Sequence, residues 1–208
     1  MTLSSSAARH VAAAVVACTI LIVAVSPAQA QTFAGRLTVR LYDYSSLDNR
    51  VRSAALDEAR AIVADAGVTT TWHDCSRADA CTPEPNELVV RVIRETGTHR
   101  VDWRRALGHS VIDPSVGTGT LATIFVNRVE DVTRHAGSDL ALLLGRAIAH
   151  EVGHLILRTN AHADEGLMRA VWTEQELARN LHDDWVFAPT DRRQIRAALQ
   201  RASTTAGR

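Results

Sequence analysis

Between Ser138 and Asn160 the chain carries one long apolar stretch with two histidines and a glutamate in its middle. Ser138-Asp139 is a good N-cap pair, and Leu140, Leu142, Leu143, Leu144, Ala147, Ile148, Val152, Leu155 and Ile156 follow it. A helix apolar nearly all round is buried inside a domain, so the rest of the chain must cover it on several sides. Within it lies His150-Glu151-Val152-Gly153-His154. Residues four apart share a helix face, so His150 and His154 can aim two ring nitrogens at one point about 2 Å away, the Zn–N distance. Glu151 stands about a hundred degrees around the helix, beside that point, where it can take a proton from a water without occupying the metal. Burying two imidazoles and a carboxylate side by side with no cation costs several kcal/mol, which disfavours reading them as ordinary core polar groups.

After His154 come Leu155-Ile156-Leu157-Arg158-Thr159-Asn160-Ala161-His162, then Ala163-Asp164-Glu165-Gly166-Leu167-Met168. From Ser138 to Met168 the chain resembles the metzincin zinc peptidases, whose signature is H-E-x-x-H-x-x-G-x-x-H/D followed by a methionine turn. The resemblance implies that His150 and His154 are zinc ligands, that Glu151 is the general base and that Met168 lies in the methionine turn. The match then departs. Leu157 stands where the family has glycine, and Asn160 stands at the third-ligand position. A neutral amide is a poor zinc ligand. If the helix runs past Leu157 and turns at Thr159-Asn160, the ligand arrives later, and His162 is the choice. Asp164 and Glu165 are alternatives, and Glu176 would fit the other large zincin group, whose third ligand is a distant glutamate.

The start of the chain reads as a secretory signal peptide over residues 1–30. Arg9 and His10 precede an apolar run from Val11 to Val25, and Ala28-Gln29-Ala30 is a small-x-small cleavage site. The run is shorter than the roughly 20 residues a membrane anchor needs, and no other segment reads as a span. Residues 31–208 are then expected to form one exported, soluble domain, with 202–208 as a frayed tail. Cys75 and Cys81 are the cysteines of that domain, and in an oxidising compartment they read as a disulfide. Formal net charge is zero, which gives no pull toward nucleic acid or acidic lipid.

Alternating apolar residues place a strand over 35–44, and Ser46 is read as the cap of a helix that Gly67 stops. Strands are expected at 68–72, 87–93 and 121–126, with 108–120 as a loop. His109 in that loop is either solvated or a donor reaching the cleft. His73, His99, His135 and His182 have no motif around them. Thr173-Glu174-Gln175-Glu176 is a capping box opening a short helix, and Trp172 before it either walls a pocket or packs that helix. A last helix is expected over 191–201.

The fold class expected from the resemblance is α+β of zincin or metzincin type. It has a twisted, mostly parallel sheet, a backing helix, a long active-site helix and a small helical C-terminal part. The resemblance also implies that an edge strand before the active-site helix pairs with extended substrate. Leu121 to Val126, including Thr123 and Phe125, is assigned that role, with an ordinary core strand as the alternative. The function expected is a secreted endopeptidase with one Zn2+ per chain, a protein or peptide substrate, no nucleic-acid partner and no stable membrane association after signal cleavage. Its oligomeric state is open and taken as monomeric. The alternative is a non-catalytic zinc-binding or interaction protein on the same scaffold.

Overall fold

The alternation at Leu37, Val39 and Leu41 becomes β1 (Leu37–Asp43), whose alternate residues are buried. The structure, a computed structural model, describes residues 37–76, 81–82, 84, 87–95, 106–113 and 118–206, the stretch 202–206 as backbone only. The expected signal peptide and His99 lie outside the described residues. α1 follows as Asn49–Asp65, and its N-cap is Asp48, not Ser46: the Asp48 side chain accepts from the Arg50 N–H. Then come β2 (Thr70–Asp74), β3 (Leu88–Ile93), β4 (Gly108–Asp113) and β5 (Thr118–Phe125). Cys75, directly after β2, is joined to Cys81 by a disulfide.

The strands form one sheet in the order β2-β1-β3-β5-β4. Four of them run parallel, and β4 is antiparallel to β5 at the edge. Two expectations fail here. The stretch read as a loop contains an edge strand: Gly108 opens β4 and Gly119 lies within β5. The strand assigned to substrate is internal: β5 pairs with β3 on one side and β4 on the other, so its backbone groups are already used. Thr123 is fully buried and accepts a hydrogen bond from Arg91 Nε at 2.7 Å. Phe125 is half-buried, with the Arg128 guanidinium over its ring. The edge on this side of the sheet is β4, which pairs with β5 alone among the described residues, and β2 forms the opposite edge.

A helix that the sequence reading omitted, α2 (Val126–Ala136), joins β5 directly and stops at Gly137 in the left-handed conformation. α3 (Leu140–Leu157) is next, capped by Asp139, whose carboxylate accepts from the Leu142 N–H. By length and composition α3 could also cross a bilayer, contrary to the expectation that no segment after the leader could. Most of it is instead buried in this fold, packed against α1, α2, β3, β4, β5 and a C-terminal helix. Leu143, Leu144, Ile148, Leu155 and Ile156 are almost completely buried. Each contributes roughly 1.5–3 kcal/mol relative to exposure, which is why this helix anchors the molecule. After it come α4 (Glu174–Arg179) with the expected capping box at Thr173, a 3-10 turn at His182–Trp185, and α5 (Pro189–Ala206). α5 begins two residues before the expected position and continues as helix through most of the expected frayed tail.

Candidate metal centre

One helical turn separates His150 from His154, and both rings point to the same side of α3. Each donates from Nδ1 to a main-chain carbonyl: His150 to Leu167 O at 2.9 Å, His154 to Thr159 O at 2.8 Å. A carbonyl can only accept, so both rings carry hydrogen on Nδ1 and a lone pair on Nε2. The two Nε2 atoms stand 3.0 Å apart. Two lone pairs facing each other at that distance call for a cation between them. Two ligands of a tetrahedral zinc, each about 2 Å from it, stand roughly 3.3 Å apart, close to what is seen.

His162 supplies a third nitrogen. The ligand atoms of His150, His154 and His162 all lie within 4.8 Å of one another. The first two are buried and His162 is exposed, which leaves one side of the cluster open to the cleft. Burial holds the imidazoles neutral, the form that binds metal: His150 is lowered to about 3 and His154 to about 4, with neighbouring histidines adding to the effect. His162 is also lowered by burial. Three imidazoles with an open fourth position suit a catalytic zinc, whereas structural sites close all four.

The loop that delivers His162 starts where α3 ends. That end is Arg158, in the left-handed conformation at φ 58°, not the Thr159-Asn160 turn expected. From there the chain crosses the site, and an isolated bridge from Ala163 to Arg169 closes it into a turn. The turn's floor is Met168, 1% exposed. A Cβ on Gly153 would meet Met168 Sδ at 2.7 Å and Phe187 Cε1 at 2.6 Å, so only glycine lets the turn approach α3 so closely. Leu167 O, which fixes His150, also accepts from Trp172 Nε1 at 3.2 Å. Trp172 meets His150 edge-on and does the same to Trp185, which lies under the buried Arg146 guanidinium.

Glu151 is 6% exposed and lies beside the histidines. Burial raises its carboxyl to about 7, and a hydrogen bond from Ser110 opposes the rise. A base poised near neutral pH is suited to taking and returning a proton. Of the alternative ligands, Glu176 closes the capping box and pairs with Arg169, which commits its carboxylate. Asp164 and Glu165 do not line the main cleft but a second depression, which His162 also borders. Asn160 borders the main cleft but is exposed. His109, on β4, lines the cleft against Phe125, and His73, His135 and His182 are exposed away from it.

The cleft encloses about 330 Å3, with His150, Glu151, His154 and His162 at its polar end and Val132, Ala147, Trp172 and Leu177 as an apolar wall. No family model matches this chain, and neither does any curated protein. Solved structures do. The archaemetzincin from Methanopyrus kandleri aligns with a TM-score of 0.54 at 14% identity, over 80% of this chain and 97% of that one. A zinc-dependent peptidase from Methanocorpusculum labreanum aligns with a TM-score of 0.49 at 15% identity, over 76% of this chain and 99% of that one. The fold is metzincin-like. Within that fold the three-histidine cluster spans the long helix and the loop after it, and Met168 packs against Gly153 on the same helix. Sequence reasoning missed Ser110, which no local pattern marks, and the edge strand that carries it.

Proposed function

We propose that this protein is an exported zinc-dependent endopeptidase. The observation that carries the reading is the pair of Nε2 lone pairs 3.0 Å apart with a third imidazole beside them and a buried carboxylate at their flank. His150, His154 and His162 would hold the metal. Zinc there would polarise a scissile carbonyl and make a water more acidic. Glu151 takes the proton from the attacking water and delivers it to the leaving amine, so the proton stays within the site. The free edge of β4 offers main-chain groups to an extended peptide, which would pair with it as an added strand. The apolar wall accepts a side chain of that peptide, and the exposed side of the cluster admits water. A leader-like stretch at residues 1–30 and a disulfide between Cys75 and Cys81 support export.

The full chain, exported from a bacterial host and purified, is assayed for metal content and for cleavage of a peptide library with and without chelator. About one zinc per chain and chelator-sensitive cleavage are expected. Glu151→Gln keeps the shape of the residue but removes the proton acceptor, so zinc should stay and hydrolysis should fall by at least about 100-fold. Full activity in that variant would mean another base, and loss of zinc would make Glu151 a ligand.

A further inference from the structure

Glu151 is touched by β4 at two neighbouring positions on one face of the strand. At Gly108 there is room for it: an added Cβ would meet Glu151 Cγ at 3.0 Å and the Thr123 carbonyl oxygen at 2.7 Å. At Ser110 there is a donor. Ser110 Oγ lies 2.7 Å from Glu151 Oε2 and 2.9 Å from the Glu151 main-chain oxygen. Among the described residues no other side chain hydrogen-bonds this carboxyl group. Opposite-signed partners are absent too, since no arginine forms an ion pair with it among those residues.

We propose that Ser110 is a positioning residue for the hydrolysis proposed above, holding Oε2 of Glu151 against the edge strand and leaving Oε1 as the oxygen that takes the proton. This rests on the reading of Glu151 as the base. A glutamate has three rotatable side-chain bonds, and a reacting group misplaced by about 1 Å can lose up to 100-fold in rate. The hydroxyl fixes the end of that side chain at one point. The main-chain oxygen of the same residue lies within reach of that one hydroxyl hydrogen as well, so the strand meets α3 at the level of the base. β4 is also the edge strand on the side of the cleft, paired with β5 alone among the described residues. A peptide that adds to that edge therefore binds the same strand that holds the base, and substrate backbone and proton acceptor share one scaffold.

The test compares Ser110→Ala and Ser110→Thr with wild type. In the alanine variant kcat should fall roughly 10- to 100-fold, with KM, zinc content and melting temperature unchanged. Threonine keeps the hydroxyl and should recover most of the rate. Crystal structures of the metal-free wild type and Ser110→Ala add a readout independent of activity: the Glu151 carboxyl should leave β4 in the variant. An unchanged kcat, a loss of zinc in step with kcat, no recovery by threonine or an unmoved Glu151 would each overturn the proposal. Should wild type neither bind zinc nor cleave peptides, the peptidase reading fails by itself, and the metal-free structures still decide what Ser110 does.

Discussion

Two imidazoles whose free nitrogens confront each other are a more demanding arrangement than two histidines in a sequence. The carbonyls of Leu167 and Thr159 fix both tautomers, so neither ring can relieve the confrontation by moving its proton. His162 completes the set from a loop and is exposed, so removing it leaves the protein core untouched. His162→Ala should therefore keep the melting temperature of the metal-free protein. Its zinc affinity should drop by more than the roughly 10- to 100-fold that loss of an outer partner costs. Asn160→Ala should change neither. Isothermal titration with zinc decides this, and a large loss in Asn160→Ala or Glu176→Ala instead would move the third ligand. His150, Glu151 and His154 were legible in the sequence because a helix fixes which face residues share. Ser110 was not, since its contact with Glu151 joins positions 41 apart in the chain.

Among the elements, α3 announced itself through its cap and its apolar run, but its far end did not. Arginine is an uncommon residue for the left-handed conformation, and the expectation placed the break at Thr159-Asn160, where asparagine adopts it more readily. Tertiary structure overrides that preference: His154 must bond Thr159 O, which requires the chain to turn immediately after Leu157. Arg158 therefore sits at φ 58°. Arg158→Gly and Arg158→Ala both remove the side chain and whatever it touches, so their difference isolates the backbone. Glycine should be the more stable of the two by about 1 kcal/mol in denaturant unfolding. Equal stability would mean that the turn relaxes when the arginine is gone. α2 was overlooked although Val126, Val129, Val132 and Gly137 follow helical spacing and a stop, because no side-chain cap marks its start. β4 alternates without an apolar face, as edge strands can, and so read as a loop.

At the scale of the molecule, one cleft holds groups whose ionisation preferences oppose each other, and this sets how the metal-free protein responds to pH. His150 and His154 are lowered to about 3 and about 4 from an ordinary 6.5. Below pH 6.5 the unfolded chain takes protons that the folded one refuses, so their contribution to stability is lost as pH falls. Glu151 is raised to about 7 from an ordinary 4.5. Between those values the folded protein holds a proton the unfolded chain lacks, so its contribution is lost as pH rises. From pH 6.5 to 4.5 His150 and His154, with His162 pulling the same way, act against one glutamate. The net is at least one proton, on the order of 1 kcal/mol or more of stability lost per pH unit of acidification. Glu151→Gln removes the opposing group, and the loss should steepen by about 1.4 kcal/mol per pH unit. Urea unfolding of chelator-stripped wild type and Glu151→Gln across this range measures both slopes. A variant no steeper than wild type would show that the folded protein does not hold Glu151 protonated. The burial that keeps the imidazoles ready for zinc would then not be what sets the base.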